Sequence, residues 1–199
     1  MGRWLTPLSD LRTKKGDRDP TAIGGKAARL GWLADRGFPI PETWVLPAEA
    51  FRNALRALPP GYEPRSLLRA STPRLLYART EEAHREILKL ALPRELEGEL
   101  FEFFEATSKT APWGLAVRSS ATCEDGALVS MAGLADTRLG VSSGADLVQA
   151  VRYVWASLAS ARALSYLASH GVRDVSMAVV IQRVVDGGPP VPRQQPEIG

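Results

Sequence analysis

The sequence predicts an α+β fold in which a mixed or antiparallel sheet is flanked by helices. Three observations carry that expectation. Apolar residues recur at three- and four-residue steps in separate stretches, among them Gly25 to Arg36 and Leu147 to Leu158, as amphipathic helices require. Met177 to Val185 is an apolar run rich in β-branched residues, long enough for a buried central strand and short for a helix. Leu115 to Val141 reads as a strand, a long loop and a second strand.

The elements follow in order. After a short apolar start at Trp4 to Leu8, Ser9 to Thr21 is polar and reads as a loop. A helix is predicted from Gly25 to Arg36, with Gly37 where a left-handed C-terminal cap belongs. Thr43 to Leu46 between two prolines reads as a strand, and Ala48 to Leu58 as a helix ended by Pro59 and Pro60. Further helices are expected over Glu81 to Leu90, with acids in its first turn, and from Pro93 to about Thr107. Leu115 to Arg118 is a strand running into the hydroxyl-rich Ser119, Ser120, Ala121 and Thr122, and a strand at about Ala135 to Val141 returns. Ser143 is the expected N-cap of the next helix, and a kinked or second helix continues to His170 and ends at Gly171. Beyond Asp186 the Gly- and Pro-rich composition predicts a flexible tail, so the folded domain is placed at residues 1–185 and the tail at 186–199.

Composition narrows the function classes. The chain has 199 residues, 45% apolar and 24% charged, the balance of an ordinary globular protein that needs no disulfide or metal to hold its core. Cys123 has no partner for a bridge, and with only His84 and His170 beside it no metal-ligand spacing is present, so no metal ligands are assigned and a reducing, cytoplasmic compartment is expected. No stretch approaches the roughly 18 apolar residues of a membrane span, and no membrane partner is predicted. The formal charge of +3 is modest, and the arginines are scattered among glutamates rather than gathered in a basic stripe with aromatics, which argues against nucleic acid.

Three motifs carry chemistry. Gly24, Gly25 and Lys26 place a cation in the first turn of a helix whose unpaired amides already make that end electropositive. Paired glycines allow close backbone approach, so amides and ammonium can converge on a phosphate; a lone Gly-Gly-Lys more often only presents its lysine to water. Arg118 ends a strand and points a permanently charged fork toward Ser119, Ser120 and Thr122, with Glu124 and Asp125 placed to orient one of the cations. The plain alternative is a structural Arg118–Glu124 pair. In Ser130, Met131, Ala132 and Gly133 the small residues would let a loop fold over a triphosphate, with Thr137 on the returning strand, although Gly133 by itself would serve a simple turn.

Together these residues resemble the N-terminal nucleotide-binding region shared by phosphoenolpyruvate synthases, pyruvate phosphate dikinases and rifamycin phosphotransferases. The segment from Gly24 to Leu30, followed by Gly37-Phe38-Pro39-Ile40-Pro41, resembles the family's opening motif, and Ala116 to Thr122 with Glu124-Asp125 resembles its second. Ser130 to Gly133 through Thr137 is similar to its phosphate loop, and Ala178 to Gln182 to its nucleotide-holding strand. The likeness covers about Thr21 to Val185 and departs at Cys123, Gly126, Ala127 and Leu134. It implies a partial ATP-grasp lobe that binds ATP through Lys26, Arg118, Gly133, Thr137 and Gln182, within an ATP-dependent phosphotransferase that passes phosphate to a histidine and then to an acceptor. Magnesium is implied as well, yet the family's carboxylate ligands and its histidine domain lie beyond the segment that matches here. No catalytic residue is therefore assigned, and His84 and His170 are read as surface or packing residues. Phosphoryl transfer by this chain alone is not expected; a separately encoded second lobe or catalytic domain is the partner implied, and a non-catalytic nucleotide-binding module is the alternative.

Overall fold

Buried apolar side chains on both faces of one strand explain why the last strand stands at the centre of the sheet. β5, Met177–Arg183, lies between β2, Thr43–Leu46, and β3, Leu115–Ala121; β1, Thr6–Pro7, and β4, Thr137–Val141, form the edges. Every pairing in the five-stranded sheet is antiparallel, with Val45 opposite Val180 and Val180 opposite Arg118. The computed structural model of the protein describes residues 4–11, 18–69, 72–123 and 136–185.

Side chains alternate across a strand, so the register sorts residues between two faces. One face carries Leu46, Leu115, Val117, Val179 and Ile181, which pack into the main core with Phe51, Leu147, Val151, Trp155 and Leu164. Helices α4, Pro73–Lys89, α5, Arg94–Ser108, α6, Gly144–Leu158, and α7, Ala161–Ser169, are built against that core. Phe51 comes from α2, Ala48–Leu55, and its ring centroid lies 5.4 Å from that of Trp155, both side chains fully buried. Truncating either to alanine is expected to cost about 3–5 kcal/mol.

The other face carries Thr43, Val45, Ala116, Arg118, Ser120, Ala178, Val180 and Gln182, with Thr137 opposite Arg118. Here one helix, α1, Pro20–Ala34, lays Ile23 and Ala27 on Val45, Ala178 and Val180 in a second, smaller apolar cluster. Arg18, with its side chain buried, ties this helix to the 3-10 turn Leu8–Asp10 that follows β1: it donates to the Leu8 carbonyl and to Asp35.

Several boundaries differ from the sequence expectation, each for a local reason. Three helices start earlier than predicted or were not predicted, each with a proline in its first turn. Asp19 caps α1 by accepting from the Thr21 amide, Thr72 caps α4 by accepting from Leu75, and Glu63 precedes the short α3, Pro64–Leu67. Proline suits the first helical position because its missing N–H is unpaired there anyway. β3 runs on through Ala121, so Ser119 and Ser120 belong to a buried strand rather than a loop. Gly37 has φ 79°, the expected left-handed end of α1. Ser160 caps α7 through the Ala163 amide, so the expected kinked or second helix is a second one. Among the described residues no helix is long and apolar enough to cross a membrane.

Candidate functional site

Gly24 decides how α1 meets the sheet. It has φ 77° and ψ 161°, a conformation open essentially to glycine alone, so the first turn from Pro20 stops there and the helix restarts at Gly25. A Cβ at this position would overlap the carbonyl and hydroxyl of Ser120, so only glycine lets the helix settle on β3. The restarted helix is capped across the contact: the amide of Ala27 donates to the Ser120 hydroxyl at 3.0 Å.

That approach brings Lys26 to the strand. Its ammonium donates to the backbone carbonyl of Ser119 at 2.7 Å, with the Ser119 hydroxyl at 3.4 Å, and the residue is half-buried. Lys26 is therefore docked, not extended into solvent. Arg118, the residue before Ser119, stands on the α1 face and is also half-buried. Lys26 thus docks on the residue next to Arg118 in β3, although the two lie far apart in the chain.

Arg118 Nη1 donates to Gln182 Oε1 at 3.0 Å, Gln182 Nε2 donates to Thr43 Oγ1 at 2.9 Å, and Thr43 Oγ1 donates to the Pro41 carbonyl at 2.7 Å. Thr137 is exposed opposite Arg118 on β4. The residues beside it are anchored to α6: the Tyr153 phenol is held above its ordinary pKa, first by its hydrogen bond to Asp136 and then by burial, and Arg138 lies 3.6 Å over the Tyr153 ring. Four of the five predicted site residues, Lys26, Arg118, Thr137 and Gln182, therefore fall on the α1 side of the sheet. Gly133, the rest of its loop, and Glu124 and Asp125 lie outside the described residues.

Two features of the site escaped sequence reasoning. Ser119 and Ser120 were expected as hydroxyls facing a ligand; instead both are fully buried, and they receive Lys26 and the Ala27 amide. Thr43 was expected only as a strand residue, since nothing in its neighbours announces a bond to Gln182. The two histidines have packing roles: His84 Nδ1 is 2.8 Å from the Ala156 carbonyl, and His170 stacks on Tyr166. Among the described residues no group of three or more His, Cys, Asp or Glu is arranged to hold a metal. A cavity of about 420 Å³ is lined by Thr21 of α1, by Thr122 after β3, and by Arg52, Arg56, Arg65 and Asp174, among others; it adjoins these two elements, but Lys26, Arg118, Thr137 and Gln182 do not line it.

Comparison with known proteins matches residues 20–188 to the pyruvate phosphate dikinase AMP/ATP-binding domain, and the chain belongs to that family. It is similar to a probable phosphoenolpyruvate synthase of Archaeoglobus fulgidus, 34% identical over 175 residues that are 84% of this chain and 23% of the relative. A prodigiosin synthesizing transferase, PigC, of Serratia marcescens is 34% identical over 86% of this chain and 18% of its own length. A rifampicin phosphotransferase of Streptomyces sviceus is 31% identical over 82% of this chain and 19% of its own length. The chain thus spans about a fifth of the length of these curated relatives.

Proposed function

We propose that the chain grips the polyphosphate of ATP on the α1 face of its sheet and serves an ATP-dependent phosphotransferase of the phosphoenolpyruvate synthase type. In this reading the fold is one lobe of an ATP-grasp arrangement, and phosphate leaves for a histidine outside the described residues. A second lobe, on the same chain or on a partner, covers the nucleotide's other side, and the setting is cytoplasmic.

The observation that carries the reading is the placement of Lys26, whose ammonium sits on the carbonyl of the residue that follows Arg118. A polyphosphate carries several charges and is held best by cations reaching it from separate elements, and Lys26 from α1 and Arg118 from β3 both stand beside Ser119. Lys26 and Arg118 would neutralise charge as the phosphoryl group leaves, which is most of what a protein contributes to this chemistry. Magnesium would be held chiefly by the phosphate oxygens themselves, with carboxylates from outside the described residues.

Titration calorimetry tests the reading. Mg-ATP is expected to bind, and Lys26→Ala or Arg118→Ala is expected to abolish the signal in a protein that still melts cooperatively. A folded sample giving no heat with ATP or ADP at millimolar concentration rejects binding by this chain on its own.

A further inference from the structure

Gln182 and Thr43 are both almost fully buried, at 4% and 5% exposure, so neither polar group has water to turn to. Their bonds form a chain with only one allowed direction. The Pro41 carbonyl can only accept, so the Thr43 hydroxyl must donate to it, at 2.7 Å. Thr43 Oγ1 then faces Gln182 as an acceptor, which calls for the amide NH2 at 2.9 Å. The amide oxygen is thereby turned toward Arg118, which can only donate, at 3.0 Å. A flipped amide would set NH2 against guanidinium and carbonyl against hydroxyl oxygen, breaking two bonds at once.

We propose that Thr43 is a positioning residue that locks the Gln182 amide so that its oxygen holds Arg118 in the orientation that meets the nucleotide's phosphates. The proposal rests on the nucleotide reading above and adds a specific consequence. Gln182 acts on the ligand through Arg118, and Thr43, which touches neither the nucleotide nor the arginine, sets its orientation. Because the Thr43–Gln182 pair crosses from β2 to β5 and Arg118 stands on β3, the three central strands are aligned by one hydrogen-bonded line.

Two variants separate this from a merely structural threonine. Thr43→Val keeps the shape and removes the hydroxyl; Thr43→Ser keeps the hydroxyl. Thr43→Val is expected to weaken Mg-ATP about tenfold, the effect of one lost buried hydrogen bond, while changing AMP affinity less than about twofold, because the terminal phosphates are what Arg118 is aimed at. Thr43→Ser is expected to restore ATP affinity to within about twofold of the parent on the same reasoning. The side-chain amide protons of Gln182, followed by NMR in the unaltered chain, are expected to exchange slowly with solvent and to exchange faster in Thr43→Val. Equal ATP affinity in a folded Thr43→Val, equal losses for ATP and AMP, or a Gln182 amide that exchanges in the unaltered chain like an exposed glutamine would each overturn the proposal. If the unaltered chain binds no ATP, the nucleotide reading fails, and the amide measurement still decides whether Thr43 orients Gln182.

Discussion

The ammonium of Lys26 lies 2.7 Å from the carbonyl oxygen of Ser119, a contact between residues 93 apart in the chain. The side chain proposed to meet the nucleotide therefore also pins α1 to β3. Removing it has two consequences that must be measured separately. Lys26→Met is expected to cost about 1 kcal/mol of stability, the worth of a part-buried hydrogen bond, and to remove ATP binding at temperatures where the variant is still fully folded. Thermal melts with and without Mg-ATP resolve the two: the variant melts slightly lower than the parent and gains nothing from added nucleotide, whereas the parent is stabilised by mass action.

Two glycines with nearly the same φ make a controlled comparison. Gly24 has φ 77° and its added Cβ would overlap Ser120, whereas Gly37 has φ 79° and an added Cβ would meet nothing within 4 Å. Gly37→Ala carries only backbone strain, about 1 kcal/mol. Gly24→Ala carries strain plus the overlap, so a loss of more than about 2 kcal/mol is expected. Denaturant melts of the two variants check the order, and equal losses would show that α1 does not depend on close approach to β3.

Ser120→Ala leaves the Ala27 amide without its acceptor in a fully buried place. A loss of about 1–2 kcal/mol is expected, the usual cost of removing a helix cap. Amide exchange at Ala27 should rise by more than at the helix centre.

Glu63 supplies a pH dependence of known sign. Its carboxyl is held below its ordinary pKa, first by its own backbone amide; burial opposes this, and the Gly61 amide, the Ser66 hydroxyl and the charge of Arg79 each lower it further. A depressed folded pKa means stability that is present above the unfolded value of 4.5 and lost as pH falls through the folded value. The group is largely solvated, so Glu63→Gln should cost only about 0.5 kcal/mol at neutral pH. The difference from the parent should shrink as pH drops below about 4.5 and vanish once both chains carry a neutral side chain there.

How much of this was legible in the sequence depends on the range of the interaction. The central place of Met177–Arg183 could be read because burial on both faces leaves an unbroken apolar run. Lys26 and Arg118 could be singled out as candidates because the motifs around them are local. The helix starts at Asp19-Pro20, Thr72-Pro73 and Glu63-Pro64 are not legible locally, because a proline in a polar stretch suits a loop as well as a first helical turn. Ser119 and Ser120 read as loop hydroxyls because serine favours turns, and only the landing of α1 on β3 turns them inward. The Thr43–Gln182 bond joins residues 139 apart through strand register, which no neighbouring residue announces.

The account stands on Lys26 and Arg118 gripping one polyphosphate, and a double-mutant cycle on Mg-ATP affinity tests that most directly. It needs milder substitutions than alanine, such as Lys26→Gln and Arg118→Lys, so that every corner retains measurable binding, and Arg52→Gln with Arg56→Gln serves as a control at the cavity that neither Lys26 nor Arg118 lines. The account predicts a coupling between positions 26 and 118 of about 0.5–3 kcal/mol, with affinity unchanged in the control. Losses at 26 and 118 that add to within about 0.5 kcal/mol, or an equal loss in the control, would contradict it.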